Sequence, residues 1–162
     1  MEQIEAWSEF NVAMVGATAA LAGLVIVAAS VNIGDIIKEA SLTARLAAGI
    51  SGLVLALIGS AIGLMPEVGA LPYGIAMILL AVGAAVFQVQ AARRIFANRH
   101  PANRLRGLKS AVGFVSPVAY GIGGAMLLAG QPDGLVWFAA GSIVAIVAAL
   151  LVSWIVLVEV LR

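Results

Sequence analysis

Five apolar stretches, each long enough to cross a lipid bilayer as a helix, constrain this chain more than any other feature of its sequence. A membrane-spanning helix needs about 20 mostly apolar residues. The stretches cover residues 10–32, 44–65, 72–92, 108–130 and 135–161, and none has a Lys, Arg or Asp in its central part. The sequence therefore predicts an all-α, polytopic membrane protein with five transmembrane helices in a single transmembrane domain, residues 1–162.

The composition supports this fold class and narrows the chemistry. Hydrophobic residues make up 63% of the chain and charged residues 10%, whereas a soluble domain has about 25% charged residues. So few charges cannot coat a water-facing surface, and most of the surface must face lipid. The chain has no Cys and a single His, so disulfides are excluded and His100 has no companion metal ligands. We predict no metal and no cofactor.

The distribution of charge predicts the orientation in the membrane. Lys and Arg accumulate in cytoplasmic loops, and a five-helix layout places all nine of them on one side. The predicted cytoplasmic loop, residues 93–109, contains Arg93, Arg94, Arg99, Arg104, Arg106 and Lys109, and the others are Lys38, Arg45 and Arg162. We therefore expect the N-terminus outside and the C-terminus in the cytoplasm. The loop also predicts contact with anionic lipid headgroups, and it is too small for a folded nucleic-acid-binding domain.

The first apolar stretch follows an acidic leader, MEQIEAWSE, and is longer than the apolar part of a signal peptide. It is therefore expected to stay as helix 1. At 100° per residue it has a lipid face, a ridge of small residues that includes Gly16, Ala20 and Gly23, and a third face with the polar stripe Asn11, Thr18 and Asn32. Two interpretations stay open: either both non-lipid faces pack within the bundle, or the stripe lines a polar path.

Small residues recur in the other spans, at Gly59 and Gly63 in the second and Gly141 in the fifth. Small residues let membrane helices approach closely, so these positions are predicted helix contacts. Their abundance favours a homo-oligomer or docking onto a larger membrane complex.

The fourth span contains Pro117, which removes a backbone hydrogen bond, followed by Gly121, Gly123 and Gly124. The pattern predicts a kink, with a hinge or broken helix as the alternative. Two carboxylates lie near span ends. We expect Glu9 to be solvated and Glu159 to pair with Arg162 at the interface, although an ionisable residue within a span is also a functional candidate.

No catalytic arrangement is visible: there is no Ser–His–Asp set, no phosphate-binding glycine loop and no pair of carboxylates within a span. We therefore predict a protein that is not an enzyme and has no catalytic residues. The main hypothesis is an accessory or regulatory subunit, or a homo-oligomer, that acts through helix–helix association. The alternative is a small homo-oligomeric ion channel lined by the polar face of helix 1, that is, by Asn11, Thr18 and Asn32.

Two segments resemble a family of small bacterial, actinobacterial-type integral-membrane proteins. They are WSEFNVAMVGATAALAGLVIVAASVNI, residues 7–33, and GLVWFAAGSIVAIVAALLVSWIVLVEVLR, residues 134–162, about a third of the chain. Members of that family are sometimes labelled as modulators of a membrane AAA protease. The resemblance implies a five-helix layout, a multi-pass location in the bacterial cytoplasmic membrane and a non-catalytic role.

Overall fold

Helices follow one another along the whole described part of the chain, which in this computed structural model comprises residues 2–97 and 106–160. Their order is α1 (Glu2–Glu5), α2 (Ser8–Val31), α3 (Ile33–Ile36), α4 (Ala40–Gly63), α5 (Ala70–Ala97), α6 (Arg106–Leu128) and α7 (Gly134–Val160). Five of them, α2 and α4 to α7, are long and apolar enough to cross a membrane. The prediction of five spanning helices is therefore confirmed.

Two spans are longer than the apolar pattern predicts. The helix α4 begins at Ala40, and α5 continues to Ala97, five residues beyond the predicted end at residue 92. The sequence QVQAARRIFA at the end of α5 contains no Gly or Pro, so nothing in it interrupts the helical hydrogen bonds once the chain has left the apolar layer. Hydropathy indicates which residues lie in the apolar layer of the membrane, whereas a helix continues until its backbone hydrogen bonds are interrupted.

Four of the spanning helices form a closed ring, and α2 lies outside it. The helix α4 packs against α5, α5 against α6, α6 against α7, and α7 closes back onto α4. The helix α2 contacts chiefly α4 and, to a smaller extent, α7. In its most apolar window 17% of the residues are buried, compared with 44% in α4. The fold is therefore a four-helix bundle with a fifth helix attached to its outer surface at α4.

Successive spans run in opposite directions, which gives the bundle two chemically different ends. At one end the last turns of α7 meet α3 and the start of α4, where Val156 packs on Ile36 and Leu42. This end carries the exposed cations Lys38, Arg93 and Arg94 together with the exposed carboxylates of Asp35 and Glu39, and we call it the basic end. The opposite end carries the exposed carboxylates Glu9, Glu67 and Asp133, and we call it the acidic end.

Candidate functional site

The polar stripe of α2 is buried against the bundle. Asn11 is 7% exposed and Thr18 is 0% exposed, and Val25 continues the same buried face two turns further on. Asn11 lies directly against α4, because its Nδ2 is 2.6 Å from the position that a Cβ would take at Gly63. The face that carries these two polar side chains is therefore the packing face of α2.

Local hydrogen bonds satisfy the rest of the stripe. The Thr18 hydroxyl donates to the carbonyl of Met14 at 2.6 Å, and Asn32 Nδ2 donates to the carbonyl of Ala28 at 3.0 Å. Such bonds to the preceding turn satisfy a polar side chain within its own helix. Asn11 and Thr18 therefore belong to the face of α2 that packs within the chain, which does not support a lumen lined by them, whereas Asn32 is partly exposed.

We expect Thr18→Val to change the free energy of unfolding by less than about 1 kcal/mol. Valine keeps nearly the shape of threonine, and the lost hydrogen bond is made to its own helix. Unfolding of the purified protein in increasing sodium dodecyl sulfate measures the effect. Thr18→Leu is the control, since extra volume at a fully buried position should cost about 1–3 kcal/mol. A Thr18→Val loss as large as that of Thr18→Leu would contradict this account.

Small residues on the side of α2 opposite Thr18 form an exposed surface. Gly16, Ala20 and Gly23 share one face of the helix, and all three are exposed. A Cβ built at Gly16 or Gly23 would meet nothing within 4 Å. The expectation that this ridge packs inside the bundle is thus corrected, because α2 docks through its Asn11 and Thr18 face. We call Gly16, Ala20 and Gly23 the α2 ridge.

The other glycines predicted as packing positions lie in contacts between helices. A Cβ at Gly59 would lie 2.5 Å from the methyl carbon of Met77 on α5. One at Gly141 would lie 2.9 Å from the ring of Tyr120 on α6, and Gly63 faces Asn11 of α2. Each of these glycines lets a larger side chain of a neighbouring helix approach the backbone.

The helix α6 runs without interruption through Pro117, so it is not broken there. Gly123 and Gly124 are buried in close contacts with neighbouring backbones. A Cβ at Gly124 would lie 2.8 Å from the carbonyl oxygen of Gly74 on α5, and one at Gly123 would lie 2.5 Å from that of Gly134 on α7. Gly121 has open space around it. Two of the three predicted hinge glycines are therefore points of helix contact.

Aromatic and hydroxyl side chains fill the bundle towards its acidic end. The Tyr73 hydroxyl donates to the carbonyl of Gly59 at 3.0 Å. The Tyr120 hydroxyl lies 2.5 Å from Ser142 Oγ, which donates to the carbonyl of Phe138 at 2.9 Å. The Phe138 ring contacts both tyrosine rings, with centroids 5.1 Å and 5.4 Å away. The hydroxyls of this cluster are thus all partnered, and the cluster joins α4, α5, α6 and α7.

Towards the basic end, by contrast, the bundle contains a partly open cavity of about 210 Å³ lined by α4, α5, α6 and α7. Much of its wall is made of residues with little or no side chain, among them Gly49, Gly52, Ala91, Gly113, Ala145 and Ala148. Four helices that present small residues to a shared centre leave unfilled volume there. The cavity is therefore a direct result of the small residues on the inner faces of the ring.

Four polar side chains line this cavity, those of Arg45, Gln88, Ser110 and Ser116, and all but that of Ser110 are buried. Arg45 is 8% exposed and Gln88 is 9% exposed. The Gln88 amide donates to the carbonyl of Ala48 at 3.0 Å, and its Oε1 is directly against Gly113 of α6. Ser116 is 3% exposed, and its Oγ has no hydrogen-bond partner in the described part of the chain. A mostly apolar cavity with a few converging polar groups is the usual form of a ligand site.

Apart from the buried Arg45, the charged residues singled out from the sequence lie at the surface where the structure describes them. Glu9 is exposed at the acidic end, and Arg93 and Arg94 are exposed at the basic end. Arg99 and Arg104 lie outside the described residues, and so do the side chains of Arg106, Lys109 and Glu159.

Sequence reasoning misses the cavity and its polar side chains. It uses Arg45 only as an orientation signal and passes over Gln88 and Ser116. A signal was present, because Gln88 shares one face of α5 with Ala81, Ala84 and Ala91. An amide on a small-residue face of a spanning helix indicates an interior position.

Comparison with protein-family models, with curated proteins and with solved structures finds no match for this chain. The functional proposals below therefore rest on the geometry and on the sequence pattern.

Proposed function

We propose that this chain is a non-enzymatic, multi-pass protein of the bacterial cytoplasmic membrane that acts through helix–helix association. The five spanning helices support a membrane location. The resemblance of residues 7–33 and 134–162 to a family of bacterial membrane proteins supports the bacterial cytoplasmic membrane as the location. The observation that carries the proposal is the α2 ridge, a strip of exposed small residues on a peripheral helix, where no described residue comes within 4 Å of a Cβ at Gly16 or Gly23.

The basic end faces the cytoplasm in this proposal, and the N-terminus lies outside. The described cations Lys38, Arg93 and Arg94 are exposed at that end beside the carboxylates of Asp35 and Glu39, and the other end has exposed carboxylates but no exposed Lys or Arg among the described residues. The positive-inside tendency of membrane proteins favours this orientation. The exposed Arg93 and Arg94 then lie where anionic headgroups of the inner leaflet can reach them.

A second copy of the chain is the partner that we propose for the α2 ridge. Two copies in one membrane have the same orientation, so a two-fold axis along the membrane normal brings the two ridges together at equal depth. The hydroxyl next to the ridge, Ser30, donates to the carbonyl of Ile26 at 2.8 Å and needs no partner. A ridge of this kind is best matched by another small-residue surface, which lets the backbones approach closely.

Gly23→Ile should weaken self-association at least about tenfold, or roughly 1.4 kcal/mol, because a branched side chain holds the two α2 helices apart. Energy transfer between donor- and acceptor-labelled chains in liposomes, measured over a range of protein-to-lipid ratios, gives the dissociation constant. Gly83→Ile on α5 is the matched control, since Gly83 also has no atom within 4 Å, and it should leave the constant unchanged.

Equal dissociation constants for Gly23→Ile and the unchanged protein would contradict the proposed interface. If the protein is monomeric and co-purifies with a larger membrane protein, that protein would be the partner of the α2 ridge in place of a second copy. Ion flux from liposomes that contain the purified protein alone would contradict the non-channel role proposed here. The buried positions of Asn11 and Thr18 give the channel alternative no support.

A further inference from the structure

The cavity near the basic end has a wall suited to an apolar ligand that carries hydrogen-bonding groups. Its surface is mostly apolar, and its volume of about 210 Å³ exceeds the 150 Å³ of an engineered protein cavity that binds benzene. A slender ligand segment of about ten non-hydrogen atoms therefore fits, whereas two acyl chains side by side do not. Buried polar side chains occur at three points of the wall: Arg45, Gln88 and Ser116.

Ser116 shows that the wall offers hydrogen bonds which the protein does not use. Its Oγ lies at the cavity and has no partner among the described residues. A buried hydroxyl without a partner loses the hydrogen bonds that it would make in water. One turn away, the Gly113 carbonyl lacks its usual helical donor, because Pro117 has no N–H. A ligand with a polar group at this depth would form a hydrogen bond that the described residues do not supply.

Arg45 supplies the charge of the site. A guanidinium stays protonated in proteins, and its five N–H donors let it hold a protein acceptor and an anion together. Arg45 is 8% exposed, so an anion beside it would be shielded from water. Electrostatic attraction is stronger in such surroundings than in water. The side chains of Arg93 and Arg94 are exposed instead, which makes Arg45 a different kind of anion contact from the surface cations.

The order of these groups along the bundle matches the order of groups in an inner-leaflet lipid. Arg45 lies near the start of α4 at the basic end, and Gly52 lies seven residues deeper, about 10 Å along the helix axis. An amphiphile in the inner leaflet has its headgroup at the interface and its chain directed to the bilayer centre. Its charged group would thus meet Arg45 first, and its chain would follow the small residues inward.

We propose that this cavity binds the headgroup-proximal segment of one acyl chain of an anionic amphiphile, with a carboxylate or phosphate group at Arg45, the ester group of a phospholipid ligand at Ser116 and the chain segment between α4 and α7 at Gly52 and Ala145. The ligand is either a free fatty acid or an anionic phospholipid that inserts one of its chains. The site lies within a single chain, so it is independent of the association proposed for the α2 ridge.

Native mass spectrometry of the full chain in a neutral detergent tests the site, with palmitate and 1-palmitoyl-lysophosphatidylglycerol as probes. Hexadecanol and 1-palmitoyl-lysophosphatidylcholine are the headgroup controls. We expect saturable binding of one anionic probe per chain. Arg45→Gln should weaken it at least about tenfold, because hydrogen bonds between charged groups are the strong ones, while Arg45→Lys should keep part of it. Ser116→Ala should weaken binding of the lysophosphatidylglycerol several-fold and leave that of palmitate, which has no second polar group, almost unchanged.

Two matched pairs of variants separate binding in the cavity from general effects. Ala148→Leu places a side chain in the cavity and should abolish binding, whereas Ala140→Leu on the exposed face of the same helix should not. Lys38→Gln removes a cation at the same end, one that pairs with Asp35 at 2.7 Å, and should leave binding unchanged. If Arg45→Gln fails to fold, the comparison of Ala148→Leu with Ala140→Leu still tests whether the ligand binds in the cavity.

Each outcome has a definite meaning. Binding of palmitate that depends on Arg45 identifies a fatty-acid site, and binding of the lysophosphatidylglycerol alone identifies a phospholipid site. Hexadecanol bound as tightly as palmitate, or an affinity that is the same in Ala148→Leu and the unchanged protein, would overturn the proposal. The self-association constant should be the same in the Ala148→Leu protein, so failure here is distinguishable from failure of the α2 interface.

Discussion

Gly124→Val is expected to give a protein that inserts into the membrane but does not hold its bundle together. A Cβ at Gly124 would lie 2.8 Å from the Gly74 carbonyl oxygen and 2.7 Å from a side-chain carbon of Ile78, and a Cβ at Gly74 would lie 2.9 Å from the Gly124 carbonyl oxygen. The two backbones are thus in mutual contact, and a backbone cannot move aside as a flexible side chain can. We expect a loss at or above the upper part of the 1–3 kcal/mol range for overpacking.

Gly121→Val is the matched control for this prediction. Gly121 lies on the same helix, less than one turn away, and nothing stands within 4 Å of the position of its Cβ. Both variants therefore introduce the same change in helix propensity, and only one of them introduces a clash. Unfolding in sodium dodecyl sulfate, followed by circular dichroism and by tryptophan fluorescence, should rank Gly124→Ala between the unchanged protein and Gly124→Val. Equal stability of the Gly121 and Gly124 variants would contradict the contact.

Tyr120→Ala should be the most destabilising side-chain truncation, at about 3 kcal/mol. Tyr120 is 1% exposed and lies against Gly59 of α4 and Gly141 of α7, so its removal opens a void between helices. In a bilayer the unfolded helices face apolar lipid, so transfer from water contributes little and the loss comes from missing contacts in the void. Refilling that void requires movement of the helices themselves.

Tyr120→Phe separates the ring from its hydroxyl. It keeps the stacking on Phe138 and loses the bond to Ser142, and hydrogen bonds between membrane helices contribute about 0.6 kcal/mol on average. Trp154→Ala serves as the exposed counterpart, since Trp154 is 69% exposed and its truncation should leave the unfolding free energy almost unchanged. A Tyr120→Phe loss equal to that of Tyr120→Ala would show that the hydroxyl, and not the ring, stabilises this end.

The spans could be predicted because a helix that crosses the membrane must be apolar over the thickness of the hydrocarbon layer, and hydropathy shows such stretches directly. Their arrangement could not, because lipid and protein interior are equally apolar surroundings for a leucine. Leu24 is 66% exposed and Leu53 is 0% exposed, yet no property of the two residues separates them. Hydropathy therefore gives no basis for predicting that α4 is central and α2 peripheral.

The faces of α2 show how far periodicity carries the prediction. The pattern separates the Asn11 and Thr18 face from the ridge of Gly16 and Gly23, and the structure keeps them on opposite sides. Which of them meets α4 depends on the partner surface, where Gly63 leaves room for Asn11. The cavity is harder still to predict from the sequence. Arg45, Gln88 and Ser116 belong to three different helices, and only the closed ring brings them to one space.

The closed ring also sets the order in which this chain can complete its fold during synthesis. The helix α4 has contacts with α2 and α5, its neighbours along the chain, but its contact with α7 needs the last spanning helix in the sequence. Until α7 has been inserted, the side of α4 that bears Arg45 and Gly52 has no helix to cover it. An arginine that faces lipid costs about 2.5–3.5 kcal/mol near the middle of a span and less towards its ends. A chain that stalls before its final span therefore leaves this face of α4, with its arginine, uncovered in the membrane.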